Sequence, residues 1–242
     1  MSAAEGRSER KHMQRSRDIY GGKSPADVPA YTAGMVAAYL HVANATVRYW
    51  AFGDAGHGPI LHVADPDARM LSFNDLTEVH VLKAITKTHH VPLQEVRQFV
   101  DYLRRQFNSP RPLLDERMLT DGKRLYVEKV GSVIQTSKSA AGQLAISVVW
   151  ESYLKRIRRD DHGVPLRLHP FTRTRLEDPQ LVMIDPRTQF GRPCITDTGV
   201  PTAVIAERFK AGESTESIAA DYGRPTIEIE EALRYETELR AA

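Results

Sequence analysis
Large apolar side chains are scarce before Ile19, and residues 1–30 are rich in Arg, Ser, Gly and Pro. A segment of that kind buries too little surface to offset chain entropy, so it reads as a disordered tail. From Tyr31 the pattern changes. Val36, Ala37 and Leu40 share one face of a short helix over 33–40, which Thr32 is placed to cap. After a break at His41-Val42-Ala43, Asn44 is placed to cap a second helix over 45–50, with Trp50 in the core. Ala37 lets the two helices approach closely, giving a helix-turn-helix pattern. The apolar runs 60–63 and 70–73 flank Asp65-Pro66-Asp67-Ala68 and predict a β-hairpin, which after a helix-turn-helix is a wing.

Two longer helices follow. In the first, Leu76, Val79, Leu82 and Ile85 recur every three residues behind Ser72 or Asn74 as cap. In the second, opened by Pro92, the residues Leu93, Val96, Val100, Leu103 and Phe107 are spaced 3, 4, 3, 4, as in a coiled-coil seam. Over two heptads that seam serves either a homodimer or packing inside one chain. Further on, 125–130 and 132–135 predict a hairpin turned at Gly131. Residues 145–157 then predict a helix with Ile146, Val149, Trp150, Tyr153 and Ile157 on one face, and 166–168 a short strand. The last stretch predicts helices over 203–211, 215–222 and 227–239, with Ser214 and Thr226 as caps and Gly212 and Gly223 just past the first two ends. The expected fold is mainly α with small β-hairpins (α+β). It comprises the tail, a winged helix-turn-helix unit at 31–107, a middle unit at 108–175 and a helical unit at 176–242.

Composition narrows the class. A chain of 242 residues with 41% hydrophobic and 26% charged residues is ordinary for a globular protein of one or two domains. No apolar run suits a membrane span and no secretory leader is apparent, so a cytoplasmic protein without membrane contact is expected. Cys194 is the only cysteine, which excludes an intrachain disulfide and a thiolate metal cluster. The net charge of +2 conceals an asymmetry. Lys and Arg outnumber Asp and Glu by 13 to 7 in 108–175 and are outnumbered 7 to 13 in 176–242. Such a division points to polyanion binding or to association through opposite surfaces.

The residues Tyr31-Thr32, Ala37, Tyr39-Leu40 and Thr46-Val47-Arg48-Tyr49-Trp50 resemble the winged helix-turn-helix of MerR-type regulators, with Phe73, Leu76 and Val91 through Arg97 similar to its helical extension. The resemblance implies that Arg48 and the wing hold the DNA backbone. Further along, Ile184-Asp185-Pro186, Gly191-Arg192-Pro193-Cys194-Ile195, Val200-Pro201, Ala211-Gly212-Glu213-Ser214, Ile218–Tyr222 and Ala232-Leu233-Arg234-Tyr235 resemble a small helical domain common in VapB-like antitoxins encoded beside PIN-like ribonuclease toxins. Asp197-Thr198-Gly199 departs from the Gly-Thr-Arg usual there. Together the two look like the long actinobacterial VapB-type antitoxins. This implies an antitoxin that neutralises a PIN-like ribonuclease toxin and binds its own operator double-stranded DNA, as a homodimer on two half-sites.

The residues themselves supply candidates. A guanidinium contacts phosphate or guanine in two places at once, which favours Arg48 for DNA. Asn44, Thr46 and Tyr49 lie beside it, and His62 and Arg69 lie in the wing. The acidic last helix, with Glu228, Glu230, Glu231, Glu236 and Glu238, would repel phosphate, so protein contacts are expected there. The basic set Arg156, Arg158, Arg159, Arg167, Arg173 and Arg175 suits the carboxylate cluster of a magnesium-dependent ribonuclease, a second DNA-facing patch or a solvated face. His89 and His90 are adjacent and point apart, so no metal site is expected. Asp160-Asp161 reads as a turn, Cys194 lacks a neighbouring His, and no catalytic constellation or cofactor motif is found. The rival function is a MerR-like regulator without a toxin partner, sensing a small ligand in an apolar pocket near Trp150 and Tyr153.

Overall fold
A computed structural model describes residues 20–87, 93–115, 117–120, 124–125, 151–172 and 178–241. Among them are eight α-helices and two small antiparallel hairpins, the mainly helical α+β class expected from the sequence. The predicted tail ends earlier than residue 30. A 3-10 turn at Pro25–Asp27 buries Ala26, Asp27 accepts a 2.7 Å hydrogen bond from Asn74, and the backbone N–H groups of Ala30 and Tyr31 donate to Leu71.

Helix α1 (Ala33–Tyr39) is capped by Thr32, whose hydroxyl accepts from the Met35 N–H. Helix α2 (Asn44–Phe52) starts one residue earlier than predicted. Its cap is Ala43, with no side-chain hydrogen bond, so Asn44 is a first-turn residue and not a cap. The predicted wing shrinks to one bridge. Asp65 and Met70 exchange two backbone hydrogen bonds across the turn, and Ala68 N–H donates to the Asp65 carboxylate. The run 60–63 forms no strand, because Ile60 and Leu61 are buried and both N–H groups donate to the Trp50 carbonyl that ends the helix-turn-helix. Leu71 pairs with Tyr31 instead.

Helix α3 (Phe73–Lys87) opens with reciprocal capping. Ser72 Oγ accepts from the Asp75 N–H while the Asp75 carboxylate accepts from the Ser72 N–H. The buried Glu78 and Asp75 share the guanidinium of Arg111 at 2.8 and 2.6 Å, and burial pushes the Glu78 carboxyl up to about 8. Helix α4 (Leu93–Phe107) corrects the dimer seam. Val96, Val100, Leu103 and Phe107 are buried in the chain's own core and Leu93 packs against it, so this apolar stripe is covered from within.

The turn Pro112–Leu114 packs on α3 and α4, followed by the short α5 (Arg117–Thr120). The hairpin predicted at 125–135 lies outside the described residues except Leu125, which is buried in a helical turn. Ile146, Val149 and Trp150 lie outside them as well. The helix predicted to reach residue 157 gives way after Leu154 to β1 (Ile157–Arg159), paired with β2 (Pro165–Leu168) across a bulge at Arg158/Arg159. Between them Asp160 accepts from the N–H groups of His162 and Val164, a side-chain-stabilised turn as expected for Asp160-Asp161.

Leu168 bridges to Ile184, which leads from β3 (Val182–Met183) and its partner β4 (Cys194–Ile195). Helices α6 (Thr202–Lys210), α7 (Thr215–Tyr222) and α8 (Thr226–Ala241) then enclose a second core of Ile195, Ile205, Ile218, Ile229 and Ala232. Ser214 caps α7 as predicted, Gly223 closes it in left-handed backbone, and α8 begins at Thr226 itself. The larger core is continuous from Ala26 to Ile184, so the stretches read as first and middle units pack together. The C-terminal unit is tied to the α1 segment at two points. Tyr31 donates its hydroxyl to the Gly191 carbonyl (3.3 Å), and Tyr235 donates to that of Tyr39 (2.8 Å).

Candidate nucleic-acid interface
The turn between α1 and α2 brings the start of one helix against the exposed side of the other. Two adjoining hollows form there, of about 300 and 520 Å³, both lined by Asn44, Arg48 and Arg69. Thr32, Ala33, Gly34 and Phe52 complete the first, and Ala45, Tyr49, Gly53 and Asp54 the second. Val47, Trp50 and Ala51 fix α2 in the core and leave Asn44 and Arg48 exposed on its outer side. Arg48 has no ion pair or hydrogen bond among the described residues. Arg69 reaches over from the bridged turn, in left-handed backbone (φ 54°), with its guanidinium 4.5 Å from the centre of the Phe52 ring.

Four of the six DNA-directed residues therefore meet: Asn44, Arg48, Tyr49 and Arg69. Thr46 is half-buried beside them without lining either hollow, and His62 is exposed but elsewhere. Sequence reasoning missed Thr32, Phe52 and Arg97. The Arg97 guanidinium, carried on α4, lies 5.2 Å from the Tyr49 ring centre. Asp54 is the one acid at the rim. Its carboxylate accepts from the Gly56 and His57 N–H groups, which hold its pKa below the ordinary value.

The basic set of the middle unit is arranged differently. Arg156 is 2% exposed, donates to the carbonyls of His169 (3.2 Å), Pro170 (3.1 Å) and Asp178 (2.5 Å), and lies 3.8 Å from the Phe171 ring centre. Arg159 donates to the Leu114 and Gly163 carbonyls. Arg167 pairs with Asp197 at 2.6 Å and Asp185 at 3.6 Å. These three are structural ties, which corrects the expectation that Arg156 and Arg159 present charge to a partner. Arg158 is exposed, and Arg173 and Arg175 lie outside the described residues.

The acidity of α8 is also partly internal. Buried Glu231 accepts from the Thr172 hydroxyl, Glu236 from the Thr202 hydroxyl, and Glu228 from Arg224, while Glu230 is exposed. Near Tyr153 the space is filled by His80 and Phe171, with ring centres 4.9 and 4.6 Å away, and Trp150 lies outside the described residues. His80 donates to the Tyr153 carbonyl, and burial holds its pKa down to about 3. His169 donates to the Val182 carbonyl, and burial holds it down to about 4. Burial pushes the Cys194 thiol up to about 11, so it is not a ready nucleophile. Among the described residues no three His, Cys, Asp or Glu side chains converge as metal ligands. No described helix is long and apolar enough to cross a membrane.

A helix-turn-helix pair with an open cationic face, followed by a small three-helix unit, is the arrangement to which known proteins compare. The family described as "Protein of unknown function (DUF433)" matches residues 182–235, the C-terminal unit. Over most of its length the chain is similar to a Mycobacterium tuberculosis (strain ATCC 25618 / H37Rv) protein named "Putative antitoxin VapB45". The two are 28% identical over 232 residues, which covers 86% of this chain and 93% of the relative. It is 24% identical over 233 residues to the uncharacterized protein Rv2308 of the same strain, covering 90% and 94%. The crystal structure of Rv2018 from Mycobacterium tuberculosis superposes with a TM-score of 0.65 at 25% identity, over 86% of this chain and 98% of that one. The chain is thus similar to a VapB-like antitoxin along nearly all of that protein.

Proposed function
We propose that this chain is the antitoxin of a type II toxin–antitoxin pair. It binds operator DNA through the hollow between α1 and α2 and neutralises a PIN-like ribonuclease by direct contact, without catalysis of its own. The observation that carries the DNA half is the exposed guanidinium of Arg48, without an ion pair or hydrogen bond among the described residues, with Arg69, Asn44 and Tyr49 around it. Such a face takes phosphate oxygens with little desolvation of buried groups and offers forked donors to base edges. The toxin half is supported by similarity to a relative named as an antitoxin. Two copies on a palindrome reach two half-sites, and their contact lies away from the α4 stripe.

A gel-shift titration of the DNA upstream of the gene tests the first half. The wild-type chain shifts it, and Arg48→Ala weakens the shift while the protein remains folded. Co-expression with the ribonuclease encoded beside it tests the second. A stoichiometric, inactive complex is expected, and an active ribonuclease in the presence of excess chain would defeat the reading.

A further inference from the structure
Among the described residues of the C-terminal unit, one large apolar side chain is far more exposed than the rest. Phe190 is 80% exposed, against 39–49% for the other exposed large apolar residues. It stands in left-handed backbone (φ 55°, ψ 33°), directly after Gln189 (φ 51°), a conformation unfavourable for both residue types. The surroundings enforce it. Thr188 N–H donates to the Asp185 carbonyl, Gly191 N–H to that of Thr188, and the Gln189 side chain to that of Gly199, while Tyr31 anchors the Gly191 carbonyl. A rigid turn thus presents a bare ring to solvent, and strain held in this way marks sites where another property is served.

Two cations lie within three residues of Phe190 in the chain. Arg187 and Arg192 are exposed, and neither guanidinium has an ion pair or hydrogen bond among the described residues. Most other arginines of this unit are engaged, Arg208 with Glu213 and Asp221 and Arg224 with Glu228. An aromatic anchor beside arginines is the composition of an interface hot spot. Acids outnumber bases on the rest of the unit, with Glu207, Glu216, Asp221 and Glu230 exposed, Glu207 paired with Lys210 and Asp221 with Arg208. A polyanionic strand would be repelled along α6–α8, whereas a protein groove meets only the tip.

We propose that the turn at 187–192 is a docking prong: Phe190 enters an apolar pocket of a partner protein, and Arg187 and Arg192 meet carboxylates on its rim. The inference rests on the antitoxin reading, with the ribonuclease as the partner that carries the groove.

Calorimetric titration of the full chain against that ribonuclease tests it. Phe190→Gly suits the left-handed backbone, so its melting temperature is unchanged or raised while affinity falls about thirtyfold or more. Phe190→Leu keeps part of the affinity. Arg187→Glu with Arg192→Glu slows association and flattens its salt dependence. Operator shifts are unchanged throughout. Wild-type affinity in Phe190→Gly overturns the prong and leaves the antitoxin reading intact, whereas a wild-type chain that does not bind the ribonuclease removes the reading and the prong together. Loss of a dimer by light scattering, or of single-stranded RNA binding, with ribonuclease affinity intact would assign the turn to a second copy or to RNA and overturn the proposal.

Discussion
Arg48 and Arg156 carry the same charge in opposite settings. The first stands in water on the outer side of α2 without an ion pair or hydrogen bond among the described residues. The second is sealed among three carbonyls, a carboxylate and an aromatic ring. The middle unit holds more positive charge than the helix-turn-helix, yet much of it is committed to holding β1, β2 and the segment around Asp178 together. Net charge therefore misplaces the region best suited to a polyanion. What matters is whether backbone acceptors already occupy the guanidinium.

The sharpest test of that contrast is Arg156→Ala. It leaves the His169, Pro170 and Asp178 acceptors buried without their donor, and loss of one partner in such a setting costs about 3–5 kcal/mol. Denaturant unfolding measures it, and a change below 1 kcal/mol would mean that Arg156 is dispensable to the fold.

The same region is expected to be acid-sensitive. His80 and His169 have folded pKa values lowered to about 3 and about 4, from 6.5 in the unfolded chain. Lowered values mean that the unfolded state binds the extra protons. Stability is full above pH 6.5 and falls as pH drops toward 4, by about 1.4 kcal/mol per pH unit for each histidine. Unfolding curves between pH 7.5 and 5 check this, and His80→Gln should flatten the profile.

On the other side of the comparison, Arg48→Ala leaves unfolding within about 0.5 kcal/mol of wild type, as expected of an exposed side chain. It weakens operator binding by about 1–3 kcal/mol. Arg69→Ala reduces the salt slope of binding by about one charge. Equal effects of Arg48→Ala and Arg158→Ala on the gel shift would erase the distinction between the two regions. The smallest effect is at Thr32→Ala, which removes the α1 cap beside the hollow and costs about 1 kcal/mol of stability.

What the sequence made legible was local. Thr32, Ser72 and Ser214 could be read as caps because the bonds they make span three residues, and Gly223 because a left-handed residue closes a helix one step past its end. The short strand expected over 166–168 is found at Pro165–Leu168. The wing failed because Ile60 and Leu61 donate their N–H groups to Trp50, a partner that no alternation pattern names. The α4 stripe was readable as apolar, but its spacing does not say whether the covering surface belongs to the same chain. Within the candidate site, Arg48 and Tyr49 followed from a local motif. Arg97 did not, because it reaches Tyr49 only through the packing of α4. Arg156 was misplaced for the same reason, with acceptors 13 to 22 residues away.

The contact between Tyr31 and Gly191 joins positions 160 residues apart. A Cβ at 191 would stand 1.8 Å from the tyrosine oxygen, and the glycine already occupies φ 75°. Neither position is free to drift alone. A lineage that replaces Gly191 must first shorten the side chain at 31, and one that loses the tyrosine surrenders the anchor of the turn that bears Phe190. The two positions are therefore expected to mutate as a pair, so exchanging C-terminal halves between divergent relatives should succeed only where both parents already carry the tyrosine and the glycine.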